Sequence, residues 1–258
     1  MNNIFNLNRF LLLFKKHTIE HGKTYLLSIA VLTGIIALIL GFVAYSNGGR
    51  LAVQLQALMF IYFIAFAGSI FTSLSFTELG DKRKATGVLT LPASHFEKYL
   101  VSWLYSYIIF QLVFLGVFYT VDWVVISVSE PPAGYSNQLI NVFDMDQQAT
   151  VGFLLYALLH AFNIWGAIFF EKMHFIKTAF VFFIYYIAIL LINNPFIRLI
   201  TGVKGLESVA FGRLFIPGKE YYRVIPTDSM DNTNLVVLAI IVIIFWISAF
   251  YRLKEKEI

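Results

Sequence analysis

Six long stretches without a charged residue in their central parts constrain this chain more than any other feature. They run approximately over residues 24–45, 51–75, 99–121, 151–170, 175–193 and 234–252. Because an α-helix needs about 20 apolar residues to cross about 30 Å of hydrocarbon, each stretch predicts one membrane-spanning helix. The sequence therefore predicts an all-α integral membrane protein with six transmembrane helices, forming a single transmembrane domain over residues 1–258.

The composition excludes a water-soluble fold of this length. Of the 258 residues, 59% are hydrophobic and 13% are charged, whereas an ordinary soluble domain carries about 25% charged residues. The chain contains no Cys, which excludes disulfides and Cys-based metal sites. Its Lys and Arg residues lie beside the apolar stretches, as expected for membrane flanks, so we predict no nucleic-acid partner.

The distribution of positive charge predicts the orientation. Thirteen Lys and Arg residues lie in the N-terminal segment, in the C-terminal tail, in the loop between the second and third spans (the 2–3 loop) and in the loop between the fourth and fifth spans (the 4–5 loop). The other connections, named in the same way, hold six. The 3–4 loop region holds Asp122, Glu130, Asp144 and Asp146 and no positive charge. Since positive charge accumulates on the cytoplasmic side, both termini are predicted to be cytoplasmic.

Two further segments are predicted to lie at the membrane surface. In residues 1–22, apolar and polar side chains separate onto two helical sides, which favours an interfacial amphipathic helix on the inner leaflet over a disordered lead-in. Between the fifth and sixth helices, residues 193–234 hold apolar pieces near 196–203 and 206–216, broken by glycines and Pro217. Pieces of this length predict re-entrant or interfacial segments on the outer side.

Sequence motifs of common enzymes and metal sites are missing. There is no His-Glu-x-x-His zinc motif and no Gly-x-Ser-x-Gly nucleophile elbow. His160 and Asn163 lie one turn apart in the fourth stretch and could line a pathway, although hydrogen bonding between helices is the alternative. We expect no enzyme activity, metal or cofactor in this chain, and energy for any uphill transport would have to come from a partner.

The 2–3 loop carries the densest pattern of the polar segments. A charged cluster, with Glu78, Asp81 and Lys84, precedes an apolar patch around Val88 and Leu89. Pro92 should end any helix before it. Ser94 is then placed to cap the third helix, with Glu97 three residues later to complete a capping box.

Residues 76–98 of this loop resemble the first cytoplasmic loop of ABC-2-type permeases, the six-helix membrane subunits of ATP-binding-cassette exporters. The resemblance rests on the run Leu89-Thr90-Leu91-Pro92-Ala93-Ser94, with Glu78 upstream and Glu97-Lys98 downstream. The wider layout, with its N-terminal interfacial helix and broken outer segment before the last helix, is also similar to that family.

The resemblance implies a permease subunit of an exporter in the cell inner (cytoplasmic) membrane. Two copies, or this chain and a related one, would form the transmembrane dimer, and a separate ATPase subunit would bind ATP and Mg and dock under the 2–3 loop. The implied contact residues are Glu78, Gly80, Asp81, Lys82, Lys84, Gly87, Leu91, Pro92, Ser94, Glu97 and Lys98. A second contact is expected at Glu171, Lys172 and His174 of the 4–5 loop.

A different class of protein has the same topology. A non-transporting accessory, resistance or signalling protein of the membrane would need no ATPase, and its 2–3 loop should tolerate mutation. Substrate is not readable from the spans, because their Phe, Tyr, Leu and Ile residues are typical of any membrane bundle.

Overall fold

The computed structural model describes residues 5–80, 91–144, 149–170, 173–202, 207–208, 214–216, 222–224 and 228–255. Within them lie six long helices: α1 (Leu7–Ser46), α2 (Val53–Gly80), α3 (His95–Val128), α4 (Thr150–Phe169), α5 (His174–Thr201) and α6 (Asp228–Lys254). Each contains a stretch long and apolar enough to cross a membrane. This confirms the prediction of a helical fold with six helices long and apolar enough to span a membrane.

The first helix is longer than the sequence analysis predicted. Residues 7–22, expected as a separate interfacial helix, form the first turns of α1, which continues without a break to Ser46. At 1.5 Å per residue, its 40 residues extend over about 60 Å, roughly twice the hydrocarbon thickness. One end of α1 therefore projects beyond the span, and its contact with the membrane surface stays a prediction.

The third helix begins as predicted and contains an irregular turn. The Ser94 hydroxyl accepts a hydrogen bond from the Glu97 backbone N–H at 3.2 Å, and the Glu97 carboxylate accepts one from the Ser94 N–H at 2.8 Å. This confirms the capping box. The helix then passes through a π-helical segment, Leu104–Ile109, before returning to α-geometry. Such segments are often found at functional sites.

The centre of the bundle is α4, which packs most extensively against α2 and α6. One core cluster joins α1, α2, α3 and α4 through buried aromatic residues such as Phe60, Phe114 and Tyr156. A second cluster, around Phe76, Ile164 and Leu253, joins α2, α4 and α6. Two glycines bring α4 close to its neighbours, because a Cβ at Gly68 of α2 would overlap Tyr156, and one at Gly166 would overlap Thr178 of α5.

The segment after the fifth predicted span differs from the prediction. The apolar piece near 196–203 is not separate, because α5 continues past Pro195 to Thr201 and ends at Gly202, whose φ of 69° suits glycine. Between α5 and α6, the described residues form three short antiparallel strands in the order β1 (Glu207–Ser208), β2 (Leu214–Ile216), β3 (Tyr222–Val224). The fold is therefore helical with one small sheet, and its placement at the outer surface stays a prediction.

Candidate functional site

Only part of the predicted ATPase contact lies among the described residues. Asp81, Lys82, Lys84 and Gly87 of the 2–3 loop, and Glu171 and Lys172 of the 4–5 loop, fall outside them. Glu78 and Gly80 belong to the last turn of α2, but the Glu78 side chain lies outside the described part of the chain. The structure therefore bears on the end of the 2–3 loop, where α3 begins, and on His174 of the second predicted contact, which is the first residue of α5 and is buried.

At that end, Glu97 joins the beginnings of two helices. Its carboxylate is fully buried. One oxygen, Oε1, accepts hydrogen bonds from the Asn6 backbone N–H at 2.7 Å and from Arg9 Nη2 at 3.1 Å. Because Oε2 accepts from Ser94 N–H, the carboxylate connects the start of α1 to the start of α3. We call Asn6, Arg9, Ser94 and Glu97 the α1–α3 clamp.

The clamp depends on its charge. A buried carboxylate is stable only when charged or polar donors compensate for its lost hydration. Glu97 has three such donors, one of them the Arg9 guanidinium, and hydrogen bonds to ionised groups are the stronger kind. Removal of the Arg9 guanidinium would leave the buried Glu97 carboxylate with two backbone N–H donors and without this cationic one, so the connection between the two helices is weakened most at this pair.

The remaining predicted contact residues of this corner differ in exposure. Pro92 is exposed and Leu91 is half-buried, so both are available at the surface next to the loop. Lys98 is 2% exposed and Glu97 is 0% exposed. A direct contact between either of these two charges and another chain would require the corner to open.

A second polar cluster lies among the helices, around His160 at the middle of α4. Trp246 Nε1 of α6 donates to His160 Nδ1 at 3.2 Å, and His160 Nε2 lies 2.9 Å from the Ser106 hydroxyl of α3. Because an indole N–H can only donate, Nδ1 carries no proton, and Nε2–H of the neutral ring donates to Ser106. The Ser106 hydroxyl in turn donates to the Ser102 carbonyl at 2.8 Å.

The same cluster supplies a hydrogen-bond donor to a backbone carbonyl of the π-helical segment of α3. Tyr156 of α4 donates its hydroxyl proton to the Ser106 backbone carbonyl, inside Leu104–Ile109. Sequence reasoning singled out His160 and Asn163, and both are buried. It missed Ser106, Tyr156 and Trp246, whose only sequence signal is that they are polar groups within apolar spans. Hydrogen bonding between helices accounts for both nitrogens of His160, and a pathway role stays a prediction.

At the opposite end of the bundle, α2 holds the 3–4 connection. The Gln56 side chain is buried; its Nε2 donates to the carbonyl of Gln138 at 2.8 Å, and its Oε1 accepts from Ile140 N–H at 2.9 Å. Asn137 similarly donates to the Gly49 carbonyl at 2.8 Å and accepts from Leu51 N–H. Gln56 thus holds the 3–4 connection against α2, and Asn137 holds it against the 1–2 turn.

The described residues contain no group of three or more His, Asp or Glu side chains placed to hold a metal ion. Comparison with known proteins adds no assignment. No protein-family model matches the sequence, no curated protein matches it, and no solved structure matches its fold.

Proposed function

We propose that this chain is the permease subunit of an ATP-driven exporter of the ABC-2 type, which forms the translocation pathway with a second permease and couples to a separate ATPase. The observation that carries the proposal is the segment 76–98, whose sequence resembles the coupling loop of that family. Six helices able to span a membrane, with this loop between the second and third, are compatible with that role.

The α1–α3 clamp suggests how a push on the loop would spread through the subunit. The loop leads directly into α3, whose first turn is tied to α1 through Glu97. In our proposal, closure of the ATPase dimer displaces the loop, and α1 and α3 move together. The π-helical segment Leu104–Ile109 gives α3 a less regular stretch at which it can bend.

Affinity purification of the tagged full chain in mild detergent tests the proposal. We expect an ATP-binding subunit to co-purify, and the double variant Glu78→Lys/Asp81→Lys to lose it. Glu130→Lys is the matched control, because Glu130 is an exposed acid in the 3–4 connection. If the chain purifies alone while an established transporter keeps its ATPase under the same conditions, the accessory-protein alternative replaces the exporter.

The proposed orientation has its own test, which the absence of Cys makes simple. Single cysteines at Asn47, in the 1–2 turn, and at Glu255, in the C-terminal tail, would both be exposed. With the termini in the cytoplasm, a membrane-impermeant maleimide should label Asn47→Cys in intact cells and Glu255→Cys only after lysis. The reverse pattern would place the 2–3 loop outside and remove any ATPase from beneath it.

A further inference from the structure

A small polar cavity lies where α1, α2 and α3 meet at the end of the bundle that carries the clamp. Its volume is about 50 Å³, room for roughly three or four water molecules or a group of similar size. The charged residues and histidines that line it are Lys16, His17, Glu20, His21 and Lys98, and two hydroxyl side chains, Ser75 and Ser102, also line it. Lys98 also belongs to the segment 76–98 assigned to ATPase coupling, whereas the others have no role in the proposed transport mechanism.

The charge of the lining favours an anion. Two residues with ammonium groups, Lys16 and Lys98, line the cavity, and Glu20 is the carboxylate among the described lining residues. Glu20 lies 3.4 Å from Lys16 in an ion pair whose side chains are 45% and 52% exposed, and such pairs contribute little. The positive charge of Lys98, at 2% exposure, thus lies deep in the corner, while Lys16 and Glu20 form its open rim.

The cavity lies at the level where a lipid headgroup would be. Ser75 is next to the end of the apolar span of α2, and Lys98 is in the first turn of α3. On the same part of α1, the apolar side chains of Leu12 and Ile19 are 69% and 70% exposed, which is compatible with a membrane interface. Basic pockets between transmembrane helices on the cytoplasmic side bind anionic headgroups.

We propose that this cavity binds a phosphate-bearing anion, with Lys16 and Lys98 as its cationic ligands and the phosphate of an inner-leaflet anionic phospholipid as the source. The inner leaflet follows from the orientation proposed above. A free phosphate ion shares the same chemistry and is distinguished by experiment. A metal ion is not the ligand, because two lysines would repel it.

Thermal unfolding of the delipidated full chain in neutral detergent tests this proposal. The probes are short-chain phosphatidylglycerol, short-chain phosphatidylcholine and inorganic phosphate, with Trp fluorescence as the readout. We expect phosphatidylglycerol to raise Tm, and Lys16→Gln to raise its half-saturating concentration by about tenfold, the loss of one charge-assisted bond. Lys15→Gln removes the same charge from the next residue, which does not line the cavity, and should behave as wild type.

Lys98→Gln should have a larger effect than Lys16→Gln, and Lys98→Arg should restore binding because it keeps the charge. If inorganic phosphate raises Tm with the same dependence on Lys16 and phosphatidylglycerol adds nothing, the site holds free phosphate, and the phosphate chemistry stands while the lipid source does not. Equal responses of Lys15→Gln and Lys16→Gln, or no shift of Tm with any anion, would overturn the proposal. Lys16 is exposed, so its variant is expected to fold.

Discussion

Helices α4 and α5 follow each other in the chain and have similar apolar sequences, yet they lie in different surroundings. In the most apolar 18-residue window of α4, 56% of the residues are buried inside the bundle, against 6% in α5. Of the two, α5 has the more apolar window. The less apolar helix is therefore the central one, which is the reverse of a water-soluble protein.

The reason is the solvent. Lipid tails are as apolar as Leu, so apolar character alone does not drive a helix into the middle of a membrane bundle; close packing and interhelical hydrogen bonds do. Helix α4 offers both, through Gly152 and Gly166, which admit neighbouring side chains, and through His160 and Tyr156, which bond to α3. Helix α5 contacts α4 near its first turns, where Thr178 lies against Gly166.

The largest test of this comparison is a matched pair of truncations. Ile164 of α4 is fully buried and Ile192 of α5 is 64% exposed. We expect Ile164→Ala to lower the free energy of unfolding by about 2–5 kcal/mol, because it leaves a cavity. Ile192→Ala should change it by less than about 0.5 kcal/mol. The measurement is unfolding by sodium dodecyl sulfate in mixed micelles, followed by circular dichroism.

An equal loss of unfolding free energy in Ile164→Ala and Ile192→Ala would contradict the difference in burial between α4 and α5. It would mean that α5 is covered in the purified protein, and the second permease copy of the proposed dimer is the candidate. Repeating the measurement over a range of protein concentrations separates the cases, since only a dimer makes the effect of Ile192→Ala concentration-dependent.

A second, smaller effect is expected from a pair of glycines. A methyl group at Gly68 would overlap the ring of the buried Tyr156, whereas one at Gly34 of α1 would have no described neighbour within 4 Å. Gly68→Ala should therefore cost about 1–3 kcal/mol through overpacking. Gly34→Ala should be neutral or slightly stabilising, since Ala favours helix. If Gly68→Ala is tolerated, α2 and α4 do not approach as closely as described.

The smallest effect concerns the hydrogen bonds around α4. Trp246→Phe removes the donor to His160 and keeps most of the ring, so we expect a loss near 0.6 kcal/mol, the average for interhelical bonds in a membrane protein. Trp123→Phe is the control, because Trp123 is 61% exposed. A loss several times larger for Trp246→Phe than this average would indicate that His160 and Ser106 depend on each other, and the double variant with Ser106→Ala would measure that coupling.

The sequence was most informative where one local rule decides the structure. Length and hydropathy located six apolar stretches. A helix that crosses lipid pairs its backbone polar groups internally and presents apolar side chains to the hydrocarbon, so each stretch can be recognised from its own sequence. The capping box at Ser94 and Glu97 was predictable for the same reason, since its hydrogen bonds join residues three apart. The start of α1 and the end of α5 were not predicted, because neither Gly22 nor Pro195 interrupts its helix.

The sites required the tertiary structure. Glu97 was read as a surface contact of the loop, but Asn6 and Arg9, about 90 residues earlier, bury its carboxylate. The two ring nitrogens of His160 bond to Ser106 and Trp246, which are 54 and 86 residues away in the chain. The charged cavity beside the clamp is likewise lined by residues that are distant in the chain, from α1, α2 and α3. The sequence by itself determined the apolar surroundings that this protein requires and the positions of its helices, because both follow from each segment alone. Which polar groups meet was decided by packing between segments that are distant in the chain.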